Sequence, residues 1–155
     1  MKIGAIILSR MDSTRLPGKA LLDVGGRPLL SYALSFCQKI KGLDSIAIAT
    51  STRAVDNPLS DFARSNGISC IRGSLNNVAE RFLSAMKVLN LDAAVRINGD
   101  SPLNNKTLIG DGIGLFRSGN FDLVSNVPAR TYPYGISVEV VGRKAMEHAL
   151  SLIHI

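Results

Sequence analysis

Tryptophan is absent from the sequence, and aromatic residues make up only 5% of it. Platforms that stack the bases of single-stranded nucleic acid depend on aromatic faces, so that class of binder is not expected. Charged residues are also sparse, at 19%, and no apolar run reaches the ~18 residues that a membrane-spanning helix needs. The opening Met1-Lys2-Ile3-Gly4-Ala5-Ile6-Ile7-Leu8 is too short and turns polar too soon for a signal peptide. The expectation is a cytoplasmic protein that does not engage a membrane. Cysteine is limited to Cys37 and Cys70, each inside an apolar segment and without C-x-x-C spacing. Neither a zinc site nor a disulfide framework follows, and both read as reduced core thiols. No repeat, low-complexity tract or linker-like stretch divides the 155 residues, so one domain is expected.

What is present suffices for a core. Hydrophobic residues form 46% of the chain and mean hydropathy is +0.19, which excludes a disordered chain. Lys and Arg outnumber Asp and Glu by 18 to 12, a formal charge of +6 that favours an anionic partner. The cations are unevenly placed. Arg10, Arg15 and Lys19 crowd into one stretch instead of lining a helix face between aromatics. That clustering points to a small phosphorylated ligand, not nucleic acid.

Short apolar runs alternate with longer amphipathic segments, the pattern of a mostly parallel sheet covered by helices on both faces. Strands are expected at 2–8, 46–49, 68–71, 93–97, 123–126 and 136–141. Helices are expected from Pro28 to about Ile40, from Pro58 to near Gly67, from an Asn76 cap to about Asn90, between Asn105 and Ser118, and from near Arg143. Gly25-Gly26 marks a turn, and Gly67 suits a left-handed helix cap. The expected architecture is a three-layer α/β/α domain of Rossmann-like type. Ligands of such sheets lie beyond the carboxyl ends of the strands, which directs attention to residues 9–18 and 98–102.

The first of these loops runs Ser9-Arg10-Met11-Asp12-Ser13-Thr14-Arg15-Leu16-Pro17-Gly18-Lys19. Its cations, hydroxyls and glycine suit a polyphosphate: backbone N–H groups cradle oxygens, arginine forks onto two of them, and lysine adds a mobile charge. It is not a Walker A loop, because Ala20 follows Gly18-Lys19 and no glycine stands five residues before Gly18. In the second loop, Asp100 is a lone carboxylate at a strand's end, suited either to a hard cation bridging phosphates or to an Asx turn before Pro102.

Taken in order, I-I-L-S-R-M-D-S-T-R-L-P-G-K-A-L, G-G-R-P-L-L at 25–30, I-R-G-S at 71–74, V-R-I-N-G-D-S-P-L at 95–103, V-S-N at 124–126 and R-T-Y-P-Y-G at 130–135 resemble the cytidylyltransferase family. The resemblance is to its spore coat polysaccharide branch, related to the acylneuraminate and 3-deoxy-manno-octulosonate cytidylyltransferases, and it covers residues 3–148. It implies a fold of the nucleotide-diphospho-sugar transferase type. It further implies transfer of CMP from CTP to a hydroxyl of a sugar, commonly a sugar acid, with Mg²⁺ and release of pyrophosphate, in a homodimer. By position, Arg10 and Lys19 carry the phosphates, with Ser9, Ser13 and Arg15 completing the loop. Arg72 matches an arginine near the cytosine, Gly99 belongs to the nucleotide-binding turn, and Asp100 matches the metal-binding aspartate. Arg10, Lys19 and Asp100 are thereby the catalytic set, and Arg130, Tyr132 and Tyr134 fall to the sugar.

This sequence departs from the branch at Asp12, where glycine is frequent, at Ser137, where aspartate is usual, and at Tyr134, where arginine is frequent. The family generally draws a second metal carboxylate from sequence beyond this chain's end. Glu139 could substitute, although strand alternation assigns it to a solvated face. No general base is evident, since His148 and His154 read as surface residues. The final Leu150-Ser151-Leu152-Ile153-His154-Ile155 resembles the translation of a transposon end used in sequencing libraries. The expectation is a nucleotidyltransferase domain over 1–149, incomplete at its carboxyl end, with a non-native tail over 150–155. A glycosyltransferase using a nucleotide sugar is the alternative enzyme, though Asn98-Gly99-Asp100 is a poor D-x-D motif. A non-catalytic nucleotide-binding or nucleic-acid-binding module is the alternative outside catalysis.

Overall fold

A computed structural model describes residues 1–129 and 131–153. Six strands form one sheet in the order β3-β2-β1-β4-β6-β5. β1 (Ile3–Leu8), β2 (Ser45–Ser51), β3 (Ser69–Gly73) and β4 (Ala93–Asn98) run parallel. β6 (Glu139–Gly142) lies antiparallel between β4 and β5 (Leu123–Ser125). The sheet is thus mixed and mostly parallel, as the alternating pattern predicts.

Strand alternation sorts side chains into two cores. Ile3, Ala5 and Ile7 of β1 face one side, where α1 (Leu29–Cys37), α2 (Asn57–Ser65) and α4 (Lys106–Ser118) bring Leu30, Leu34, Leu59, Ile109 and Phe116 against them. Ile6 faces the other, packed with Phe82 and Met86 of α3 (Val78–Val88) and with Met146 of α5 (Arg143–Ile153). With both faces covered, β1 is apolar throughout, as a central parallel strand must be. Burying one such isoleucine contributes roughly 1.5–3 kcal/mol.

Two boundaries differ from the sequence expectation for local reasons. Asn77, not Asn76, caps α3, accepting from the Glu80 N–H at 2.9 Å, because Ser74 Oγ already accepts from the Asn77 N–H. β6 starts at Glu139 and not at residue 136, since the Asn126 side chain takes the backbone groups of Ile136 and Val138 in place of a strand ladder. Cys70 is only partly buried and shares a contact of 3.4 Å with Ser60 Oγ, whereas Cys37 lies in the core. α5 continues past Ala149, with Leu150 buried.

Candidate functional site

Leu8 and Asn98 stand side by side at the ends of the two central strands. Residues 9–18 leave β1 and residues 98–101 leave β4 at the same carboxyl edge. The strand order reverses here, since β1 has β2 on one side and β4 on the other. In open α/β sheets this switch point forms the ligand crevice.

Both loops are fixed by local chemistry. The Gly18 N–H donates to the Met11 carbonyl at 2.7 Å, closing the first loop, and Gly18 adopts φ 75, which glycine alone takes without strain. The Met11 N–H donates to Asp56 Oδ1 at 2.7 Å, while Asp56 Oδ2 accepts from Ser51 Oγ. Asp56 is wholly buried. In the second loop, the Ser101 N–H donates to the Asn98 carbonyl and the Gly99 N–H to the Leu8 carbonyl. A Cβ at position 99 would meet Leu30 Cδ1 at 2.9 Å and the Ser9 side chain at 3.0 Å. Glycine there lets the two loops touch.

Between them lies a cleft of about 280 Å³. Its lining brings together Ser9, Arg10, Ser13, Arg15, Lys19 and Asp100, all singled out from sequence, and adds Arg81, Arg96 and Asn98. Five cations thus border the cleft against one carboxylate, Asp100, which pairs with Lys19. Like charges gathered at a partly dehydrated surface repel, and an anion relieves that repulsion. Asp12 offsets this field only in part. It pairs with Arg53, leaving one oxygen 3.9 Å from Arg10 Nε.

Arg72 and Gly99 lie outside the lining. All three guanidinium nitrogens of Arg72 bind within the protein, donating to the Ser51 carbonyl, Asn57 Oδ1 and the Arg53 carbonyl. Arg72 therefore braces the connection between β2 and α2. A second recess shares Arg96 and Asn98 with the first and is mostly polar, with Ser101, Asn104, Tyr134, Ser137 and Glu139 beside Val127 on its walls. Glu139 is not on a solvated face: it is half-buried and ion-paired with Arg96. Tyr134 is 87% exposed and Tyr132 42% exposed. Arg130 and His154 lie outside the described residues, and His148 is exposed on α5.

Arg81 and Asp56 escaped the sequence reading. Arg81 did leave a signal, because it falls three residues after Val78 and four before Ala85, on the buried stripe of its own helix. A charged residue at such a position is either an error of pattern or a functional group. Asp56 left none, since its partners come from β2 and the first loop.

The carboxylates test the fit of magnesium. Asp100 is 42% exposed at the cleft mouth, and no group of three or more His, Cys, Asp or Glu side chains gathers among the described residues. One carboxylate beside a cation-rich loop would suit a magnesium ion that takes its other ligands from substrate phosphates and water, and does not suit a metal caged by protein.

Fold and cleft together define an α/β protein of mostly parallel sheet with a cation-lined crevice at the sheet's switch point. A family model for cytidylyltransferases matches residues 4–140, and the chain belongs to that family. It is 38% identical over 149 residues to an uncharacterized protein of Methanocaldococcus jannaschii, covering 96% of this chain and 60% of that protein. It is 34% identical to the spore coat polysaccharide biosynthesis protein SpsF of Bacillus subtilis, covering 88% and 57%. It is 32% identical to the 3-deoxy-manno-octulosonate cytidylyltransferase of Bdellovibrio bacteriovorus, covering 70% and 43%. The chain therefore spans less than two thirds of the length of each of these relatives. Among solved structures, a cytidylyltransferase from Leptospira borgpetersenii superposes with a TM-score of 0.90 at 32% identity, over 97% of this chain and 64% of that one. A CMP:2-keto-3-deoxy-manno-octonic acid synthetase complexed with CTP superposes at 0.79 with 18% identity, over 98% and 78%, a likeness of fold. In the described residues no helix is long and apolar enough to cross a membrane.

Proposed function

We propose that this chain forms the nucleotide-binding part of an enzyme that transfers CMP from CTP to a hydroxyl of a sugar, in particular a sugar acid, releasing pyrophosphate. The observation that carries this reading is the cation-rich cleft between the 9–18 loop and the Asn98–Ser101 turn. Membership of the cytidylyltransferase family favours CTP among the nucleotides, and two of the relatives above are named for polysaccharide biosynthesis or an octulosonate sugar.

In this reading Arg10, Arg15 and Lys19 hold the triphosphate, with Ser9 and Ser13 donating to its oxygens. The acceptor occupies the second recess, across Arg96 and Asn98, with Tyr134 on its wall; Tyr132 and Arg130 belong to the sugar contacts that the family resemblance implies. Its hydroxyl oxygen attacks the α-phosphorus and gives its proton to solvent, the bond to the bridging oxygen breaks, and that electron pair leaves with pyrophosphate. Arg10 and Lys19 stabilise the negative charge that grows on that leaving group. Magnesium, when bound at Asp100, neutralises charge on the same phosphates. Lys19 and Asp100 hold each other as an ion pair, so Lys19 would turn to the phosphates as Asp100 becomes free to hold a cation. A homodimer belongs to the same proposal.

Calorimetry with magnesium tests the reading by comparing CTP with ATP, GTP and UTP, and by repeating CTP with Arg10→Ala. Selective CTP binding that weakens at least tenfold in the variant is expected. Equal binding of all four nucleotides, or no effect of the substitution, would overturn it.

A further inference from the structure

Arg81 is the one fully buried cation among the described residues, 2% exposed. An arginine stays charged in proteins, and burying that charge is costly unless partners compensate it. The partners here fall short. NH1 donates to the carbonyls of Ser74 and Leu75, whereas Nε is buried with no partner. No carboxylate lies within ion-pair distance of Arg81 among the described residues. Burial pushes its pKa down, the charge of Arg10 pushes it down further, and buried Asp56 opposes both. Arg81 nevertheless lines the cleft, together with Arg10 and with Val78 at the start of α3. The amino end of a helix adds partial positive charge. Two arginines and a helix start therefore converge on one place.

We propose that Arg81 contacts the phosphate chain of the ligand, meeting from the start of α3 the same phosphate group that Arg10 meets from the 9–18 loop. The proposal rests on the nucleotide reading for the identity of the ligand, but only on charge for the contact itself. The phosphate supplies the counter-charge that no carboxylate at ion-pair distance supplies. Because NH1 also holds the Ser74 and Leu75 carbonyls, the contact couples phosphate binding to the turn that leads into α3.

The test uses inorganic pyrophosphate, CTP and CMP with the whole chain and with Arg81→Met, Arg81→Lys and, as a surface control, Arg64→Met. Arg64 is 79% exposed on α2, away from the cleft. Calorimetry is expected to show pyrophosphate and CTP weakened at least tenfold by Arg81→Met, CMP weakened less than threefold, and partial recovery with Arg81→Lys. Should Arg81→Met fail to fold, the ratio of pyrophosphate to CMP affinity in Arg81→Lys gives the answer, since a merely structural role leaves that ratio unchanged. Equal weakening of all three ligands, a loss no greater than that of Arg64→Met, or failure of the unaltered chain to bind pyrophosphate would overturn the proposal. Arg81-dependent pyrophosphate binding without preference for CTP would uphold it while overturning the choice of nucleotide.

Discussion

Asp56 shows how much one side chain controls here. Its carboxylate accepts from the Met11 N–H and from Ser51 Oγ, tying the phosphate-type loop to the end of β2. Replacing it by alanine leaves a buried N–H and a buried hydroxyl without an acceptor. Asp56→Ala is expected to cost about 1–3 kcal/mol, read by urea denaturation, and to weaken CTP in the same preparation. The cysteines contrast with each other. Burial pushes the Cys37 thiol up to about 12, so the folded protein keeps it protonated and unreactive. Iodoacetamide at pH 8 is expected to modify Cys70 and to spare Cys37 until denaturant is added, as read by peptide mass. The sign of the pH effect follows. Unfolding lets Cys37 ionise near its ordinary value of 9.0, so its contribution to stability is complete below that pH and is lost as pH rises toward 12. The denaturation midpoint is expected to fall over that window, and less steeply in Cys37→Ala.

At the scale of elements, two helices with similar caps have different duties. Asn77 caps α3 and Asn105 caps α4, each through a side-chain oxygen on backbone N–H groups. Either asparagine replaced by alanine is expected to lose about 1 kcal/mol of stability. Only Asn77→Ala is expected to weaken CTP as well, because α3 begins at the cleft with Val78 and carries Arg81, whereas no residue of α4 lines it. Paired calorimetry and denaturation on the two variants checks this. The same elements show what could be read in advance. Among the described residues, the alternation of apolar runs located the strands, helical spacing located α1 and α3, and proline, glycine and cap signals located α2, since burial on one face and chain-end chemistry each leave a trace in sequence. Where a side chain replaces a ladder, as Asn126 does before β6, no such trace exists.

For the whole molecule, five of the 18 Lys and Arg side chains behind the net charge of +6 gather at the carboxyl edge of the sheet. A surface organised for duplex DNA spreads its cations along many phosphates and shows a steep salt dependence. With five cations drawn into a single cleft, CTP binding is expected to persist from 50 to 200 mM salt, while any affinity for a 20-base-pair duplex collapses. Fluorescence anisotropy across those roughly fourfold salt steps, set against the expected loss of about 10³–10⁵ for a protein making many phosphate contacts, checks it.

The sequence by itself determined the layered fold, the loop that follows β1 and the aspartate that follows β4. These are local properties: periodicity, and residue types grouped within a dozen positions. Only the tertiary structure decided that Arg81 and Arg96 join that cleft, that Glu139 pairs with Arg96 instead of facing solvent, and that Arg72 is spent on bracing its neighbours. The physical reason is sequence distance. Arg96 and Glu139 stand 43 positions apart, and Met11 and Asp56 45. No local pattern records such pairs. They exist because strand pairing carries distant residues to one edge of the sheet, where charge and hydrogen bonding then select their partners.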